Sequence, residues 1–133
     1  MKTRVMIVDD QPMMRDGVRS ILAQGGNVDI VGEAGSGQEA VRLAPLLRQD
    51  VIVMDVAMSD MSGVEATRRI THELVGVKVV ALSMYNNNSF IDLMREAGAA
   101  AYVLKDRAFE DLPATLQTVA AGPAARGAAR AAA

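Results

Sequence analysis

Short apolar runs alternate with longer amphipathic segments along this chain, and the alternation predicts its fold. Most of the apolar runs are rich in Val, Ile, Leu and Met, which is typical of strands buried on both faces of a parallel sheet. The segments between them repeat apolar positions at the spacing of a helical turn, which is typical of amphipathic helices. The predicted strands are Arg4–Val8, Asp29–Ala34, Val51–Met54, Val77–Leu82 and Ala100–Leu104.

Local signals mark where the first three predicted helices begin and end. The first helix follows Pro12 and ends at Gly25-Gly26, because proline suits the first turn of a helix and glycine suits the residue after its last turn. The second and third helices open at Ser36 and Ser62, each with a glutamate three positions later. That spacing is a capping box, in which the two side chains satisfy free N–H groups of the first turn.

The fourth predicted helix follows the polar segment Asn86–Ser89, and the fifth ends at Gly122. One face of the fourth helix is predicted to be buried, and it consists of Phe90, Leu93, Met94 and Ala97. Five strands alternating with five helices predict an α/β domain over residues 1–122, with a doubly wound, flavodoxin-like parallel sheet of order 2-1-3-4-5. Residues 123–133 are nearly all Ala, Arg and Gly, and we expect a flexible tail or linker there.

Composition narrows the class of protein. The 133 residues carry a formal net charge of −2, with Lys and Arg scattered, so the chain lacks the basic surface of a nucleic-acid binder and we expect no direct contact with nucleic acid. The absence of cysteine rules out disulfides and thiolate metal sites. No apolar stretch reaches the length of a membrane span. We therefore expect a soluble, cytoplasmic domain.

Reactive side chains stand where the predicted strands end. Asp9 and Asp10 follow the first strand, Asp55 the third, Ser83 the fourth and Lys105 the fifth. The carboxyl ends of parallel strands form one edge of the sheet, and ligands bind there at the point where the strand order reverses. Because neighbouring strands lie about 4.8 Å apart, the three carboxylates should converge, with the hydroxyl and the ammonium group within reach.

Three convergent carboxylates repel one another unless a cation lies between them. Oxygen ligands without histidine or cysteine favour Mg²⁺, with Mn²⁺ as an alternative. A metal ion, a lysine and a hydroxyl can together neutralise the oxygens of a phosphoryl group, and a carboxylate such as Asp55 can attack phosphorus to form an acyl phosphate. The sequence shows no evident general base for activating water, so the acyl phosphate would persist long enough to act as a signal.

Four segments carry a resemblance to a known family, namely Val5–Pro12, Val51–Met58, Ala81–Tyr85 and Gly98–Asp106. They resemble the receiver domain of bacterial two-component response regulators, and are most similar to the LuxR/NarL-type subfamily. The resemblance implies a domain that accepts a phosphoryl group from a sensor histidine kinase. Its output would be control of transcription through a DNA-binding domain, which we do not expect within this chain.

The resemblance also assigns roles in the acidic pocket. Asp55 would be the phosphoacceptor and a metal ligand, and Asp10 would be a second Mg²⁺ ligand. Asp9 would act through metal-bound water, and the backbone carbonyl of Ala57 would be a further ligand. The resemblance therefore implies a magnesium site made of oxygen atoms alone.

Further roles implied by the resemblance concern the phosphoryl group and the response to it. Ser83 and Lys105 would contact the phosphoryl oxygens. Tyr102 would rotate inward as Ser83 moves, changing the surface of the fourth helix, fifth strand and fifth helix. A homodimer would form through that surface or through the first and fifth helices. Ala57 and Tyr85 occupy the positions that tune hydrolysis in receivers, and neither can orient an attacking water, so we expect slow self-dephosphorylation.

The sequence departs from the family pattern at three places. Ser59 follows Met58 where receivers usually carry proline, which is expected to loosen that loop. Asn86–Asn88 stand where the subfamily tends to carry acids, and Asp106 follows the site lysine where most receivers have proline. The first two departures leave open a phosphorylation-independent interaction module of the same fold.

Two further alternatives have less support in the sequence. A Mg²⁺-dependent phosphatase with an aspartyl intermediate would carry a second acid two residues beyond Asp55, where this chain has Ala57. A flavodoxin-like cofactor binder would need a glycine- or hydroxyl-rich loop after the first strand. We interpret the only histidine, His72, as a surface residue, and Asp60 as a solvated loop acid.

Overall fold

Strands and helices alternate along residues 2–122, which are the residues that the computed structural model describes. The strands are β1 (Thr3–Val8), β2 (Val28–Ala34), β3 (Val51–Asp55), β4 (Lys78–Ser83) and β5 (Ala101–Leu104). The helices are α1 (Pro12–Ala23), α2 (Gly37–Leu47), α3 (Gly63–Glu73), α4 (Asn88–Ala97) and α5 (Ala108–Ala121), with a 3₁₀ turn over Lys105–Arg107 between β5 and α5. The predicted tail over residues 123–133 lies outside the described residues.

The five strands form one parallel sheet in the order β2-β1-β3-β4-β5, which confirms the predicted topology. The chain order reverses between β1 and β3, and this is the point at which open α/β sheets bind ligands. Val8 pairs with Met54 across these two strands, and Ser83 pairs with Leu104 across β4 and β5. The residues that follow each strand therefore emerge at one edge of the sheet.

Alternation of side chains along the strands divides the core into two layers. One layer packs against α2, α3 and α4, and its strand and helix residues include Met6, Ile52, Met54, Ala40, Ile70 and Met94. The other packs against α1 and α5, and its residues include Val5, Ile7, Val53, Val18, Leu22, Leu112 and Leu116. All five residues of β3 are buried, because this central strand has helices on both faces. Asp55 thus ends a strand that is buried along its whole length.

The predicted capping serines open α2 and α3. Ser36 Oγ accepts a hydrogen bond from the Glu39 N–H at 3.0 Å, and Ser62 Oγ accepts one from the Glu65 N–H at 3.2 Å. At the start of α2 the glutamate side chain also forms a hydrogen bond, because Glu39 Oε1 accepts from the Gly35 N–H at 2.7 Å. The two serine bonds satisfy donors that a helix leaves free at its start.

One prediction about α4 is wrong. Leu93 was expected on the buried face, but its side chain is 44% exposed. A helix turns by about 100° per residue and presents only part of its circumference to the sheet. Met94 and Ala97 occupy that part, so Leu93 lies at its margin. None of the helices within residues 2–122 is both long and apolar enough to cross a membrane.

Candidate acidic site at the sheet edge

The carboxylates of Asp9, Asp10 and Asp55 meet at the carboxyl ends of β1 and β3. One oxygen of each carboxylate lies within 4.8 Å of the other two. Asp9 and Asp55 are buried, at 2% and 4% exposure, and Asp10 is half-buried. The acids meet because β1 and β3 are neighbours whose residues pair in register up to the ends of the strands. The structure thus brings together the three acids that the sequence places at this edge.

Lys105 reaches the same pocket from the end of β5. Its Nζ lies 3.1 Å from Asp9 Oδ2 and 3.3 Å from Asp55 Oδ1. Because β4 separates β5 from β3, the lysine side chain spans the end of β4. Burial alone would lower the pKa of Lys105, but the charges and hydrogen bonds of Asp55 and Asp9 outweigh burial and raise it. Lys105 is therefore an ammonium ion in contact with two carboxylates.

Ionisation of the Asp55 carboxyl group is energetically unfavourable in this pocket. Burial is the largest cause that raises its pKa, and the charge of Asp9 adds to it. Lys105 and the N–H of Ala57, which donates to Asp55 Oδ1 at 3.4 Å, act in the opposite direction. The net result is a pKa of about 6, well above the usual value for an aspartate. Additional positive charge near Asp55 would favour its ionised form.

The donor set of this pocket fits a hard divalent cation. Three carboxylates face one ammonium group, so negative charge is in excess by two when all four groups are ionised. Magnesium prefers carboxylate oxygens completed by water, and the pocket offers oxygen ligands of this kind. Asp9 Oδ1 also accepts a hydrogen bond from the Gln11 N–H at 2.9 Å, which fixes the orientation of that carboxylate. Ala57 lies two residues beyond Asp55 in the loop before α3, and it is exposed.

Ser83 and Tyr102 are linked through the backbone of a third residue, Tyr85. The buried Ser83 Oγ accepts a hydrogen bond from the Tyr85 N–H at 2.9 Å, and the Tyr102 hydroxyl donates to the Tyr85 carbonyl at 2.7 Å. The Tyr85 ring stacks on Phe90 at a centroid distance of 4.7 Å. Sequence reasoning placed Ser83 and Tyr102 near the site but did not find this link, because it depends on backbone atoms.

Arg15 is a site residue that sequence reasoning missed. It lies on α1, and its Nη1 donates to the backbone carbonyl of Asp9 at 2.6 Å. Its Nε forms an ion pair with Glu33 of β2 at 3.2 Å. The guanidinium group thus connects the end of β1 to β2. The sequence places Arg15 one turn into the helix that opens beside the acidic pair, but it does not reveal the contact with the Asp9 carbonyl.

Asp60 is an exposed loop acid, as predicted, but it also has hydrogen-bond partners in another element. Its side chain is exposed, but its two oxygens accept hydrogen bonds from the N–H groups of Gly37 and Gln38, each at 3.1 Å. Backbone N–H groups, first that of Met61 and then that of Gln38, lower the pKa of Asp60. No local pattern could reveal these partners, because they lie more than twenty positions earlier in the chain. His72 is exposed, as predicted.

Comparison with known proteins places the chain among signalling proteins. The response regulator protein VraR of Staphylococcus saprophyticus is 38% identical over 112 residues, which make up 84% of this chain and 54% of VraR. The VraR protein of Staphylococcus aureus is 35% identical over 122 residues, which make up 92% of this chain and 58% of that protein. The chain therefore spans little more than half the length of the curated relatives that it matches.

Solved structures share the fold over nearly the whole chain. The signal receiver domain of NarL from Mycobacterium tuberculosis has a TM-score of 0.86 and 29% identity, covering 91% of this chain and 98% of that one. The family described as the response regulator receiver domain matches residues 5–117, a span that contains every residue of the acidic pocket. The chain belongs to the response regulator receiver domains, and it is similar to those of the LuxR/NarL type.

Proposed function

We propose that this receiver domain accepts a phosphoryl group on Asp55 and requires Mg²⁺ to do so. The observation that carries the proposal is the contact of Lys105 Nζ with both Asp55 and Asp9, within a pocket that also contains Asp10. An ammonium group beside a buried carboxylate can stabilise the charge of an incoming phosphoryl group. The phosphoryl donor is a phosphohistidine of a sensor histidine kinase, the typical partner of this family.

The reaction joins an oxygen of Asp55 to phosphorus and breaks the bond between phosphorus and the histidine nitrogen of the donor. The freed imidazole leaves with the electron pair of that bond and takes up a proton from solvent. Lys105 Nζ neutralises one phosphoryl oxygen, and Ser83 Oγ donates to another. Asp55 must be ionised to attack. Lys105 therefore favours the reactive form of this nucleophile, and it also stabilises the charge of the phosphoryl group during transfer.

A bound Mg²⁺ would be held by the carboxylates of Asp10 and Asp55 and by the carbonyl of Ala57, and Asp9 would act through water. When bound, Mg²⁺ supplies positive charge that offsets the excess negative charge of the carboxylates. Mn²⁺ can bind the same oxygen donors. Asp9 is oriented by the Gln11 N–H and by Lys105, so it can hold a metal-bound water in a fixed direction.

The response to phosphorylation begins at Ser83 in this proposal. When its hydroxyl turns towards the phosphoryl group, the Tyr85 N–H loses an acceptor, and the Tyr85 carbonyl shifts relative to Tyr102. Tyr102 then rotates inward and changes the surface of α4, β5 and α5. The output is a partner or homodimer contact through that surface, or through α1 and α5, with control of transcription as the result. Ala57 and Tyr85 orient no water for hydrolysis, so loss of the phosphoryl group is slow.

Acetyl phosphate, a small-molecule donor, tests the proposal without the kinase. In the presence of Mg²⁺, intact mass spectrometry should show the addition of one phosphate to the wild-type chain. The same reaction in EDTA, or with the Asp55→Asn variant, should leave the mass unchanged. Equal labelling of Asp55→Asn would refute the assignment of the phosphoacceptor. Labelling of the wild type in EDTA would refute the metal requirement.

A further inference from the structure

The loop between β3 and α3, residues 56–62, is attached to the start of α2 through Asp60. Asp60 Oδ1 accepts from the Gly37 N–H, and Asp60 Oδ2 accepts from the Gln38 N–H, each at 3.1 Å. These are the first two N–H groups of α2, and Ser36 Oγ accepts the third, from Glu39, at 3.0 Å. A carboxylate at this position also interacts favourably with the positive end of the helix dipole. The loop therefore has a charged, two-point attachment to a neighbouring helix.

The packing between the loop and α2 is close as well as polar. A Cβ atom added at Gly37 would lie 2.6 Å from the Met61 carbonyl oxygen and 2.8 Å from Met61 Cβ. Any larger residue at Gly37 would push the loop away. The glycine lets the backbone of the loop reach the helix, and Asp60 secures it there.

The same loop touches the acidic pocket next to this attachment. The Ser59 N–H donates to Asp10 Oδ2 at 3.3 Å, and Ala57 N–H donates to Asp55 Oδ1 at 3.4 Å. A proline at position 59 would have no N–H for Asp10. The serine was expected to loosen the loop, but Asp60, the next residue, restrains it through α2.

We infer that Asp60 is a positioning residue of the acidic pocket, which fixes the β3–α3 loop so that the N–H groups of Ala57 and Ser59 face Asp55 and Asp10. The inference rests on the proposed function, since it concerns how well the pocket binds Mg²⁺ and supports phosphoryl transfer. Asp60 touches neither the metal nor the phosphoryl group. It acts through the loop, and its loss should weaken metal binding while the four pocket side chains remain intact.

A matched pair of variants separates this role from general stability. Asp60→Ala and Ser36→Ala each remove a cap from the same end of α2, but only Asp60 belongs to the loop. We expect Asp60→Ala to weaken Mg²⁺ binding by about tenfold, the lower end of what loss of an outer-shell partner costs. Ser36→Ala should bind Mg²⁺ as the wild type does. Calorimetric titration with MgCl₂ on the full chain measures both, and Asp60→Asn, which keeps one acceptor oxygen, should recover part of the affinity.

A second readout needs no metal. Amide hydrogen exchange at Ala57 and Ser59 should accelerate in metal-free Asp60→Ala and stay unchanged in Ser36→Ala. Wild-type affinity in Asp60→Ala, or an equal loss in both variants, would overturn the inference and leave the proposed function standing. A wild-type chain that binds no Mg²⁺ would overturn the proposed metal site and the inference with it.

Discussion

At Asp55, burial and the neighbouring Asp9 carboxylate oppose ionisation, while Lys105 favours it. The first two effects are the stronger, and the folded chain binds a proton at Asp55 more tightly than an exposed aspartate would. This destabilises the metal-free fold at neutral pH. Added positive charge near Asp55 would stabilise its ionised form, which is the physical reason why the proposed phosphoacceptor would act together with a metal ion.

The stability of the metal-free chain should therefore depend on Asp55 in a pH-specific way. Between the ordinary pKa of 3.8 and the folded value of about 6, the folded state holds the extra proton, so stability falls as pH rises through this window. Asp55→Asn removes the penalty. Urea unfolding in EDTA should show the variant more stable than wild type at pH 7.5, by at most about 3 kcal/mol. Near pH 3.5 the two should unfold alike.

The Asp60→Asn variant is a control for which we expect a change in stability of the opposite sign. The pKa of Asp60 is lowered by backbone N–H groups, chiefly that of Met61, so its ionised form contributes stability above its ordinary pKa. That variant should be less stable than wild type at pH 7.5, and the difference should shrink as pH falls. An Asp55→Asn chain that is less stable than wild type at pH 7.5 would contradict the electrostatic account of the pocket.

At the scale of elements, the β4–α4 loop connects the pocket to the α4–β5 surface. The Tyr85 N–H donates to Ser83 Oγ, and the Tyr85 carbonyl accepts from the Tyr102 hydroxyl. The Tyr85 ring stacks on Phe90. Any movement of the Ser83 hydroxyl must change at least one of these contacts. The asparagines at 86–88 are exposed and place no charge between this loop and α4.

The two tyrosines of the chain, Tyr85 and Tyr102, report on this connection directly. With ¹³C-labelled tyrosine, NMR should show two ring environments, and both should change when beryllofluoride and Mg²⁺ are added as a phosphoryl analogue. In Asp55→Asn neither should change. In Phe90→Leu, the Tyr85 signal should differ from the start because the ring stack is lost, while Tyr102 still responds. Unchanged signals in the wild type, despite bound beryllofluoride, would contradict the proposed switch.

The elements themselves were largely predictable, because their signals are local. Pro12 opens α1, serine caps open α2 and α3, and apolar runs mark the strands to within one residue at each end. The exposure of Leu93 was not predictable from periodicity, since the part of α4 that the sheet covers depends on where α3 and β5 lie. Burial at the margin of a helix is decided by tertiary packing.

At the scale of the whole molecule, the doubly wound sheet assembles the pocket from strands far apart in the chain. The convergence of Asp9, Asp10 and Asp55 could be inferred because the strand order alone places their positions together. The contributions of Arg15 and Asp60 could not, since each depends on the distance between a side chain and the backbone of another element. Sequence reasoning therefore placed the three acids together, and it missed the side chains that bond to the backbone around them.

The central claim is that Asp55, among all the acids of this pocket, forms the acyl phosphate. Borohydride reduces an aspartyl phosphate to homoserine and leaves a free aspartate unchanged, so it marks the modified residue. After treatment with acetyl phosphate and Mg²⁺ followed by borohydride, peptide mass spectrometry should find the conversion at Asp55 alone. Conversion at Asp9 or Asp10, or a phosphate retained on His72 with Asp55 intact, would contradict the account.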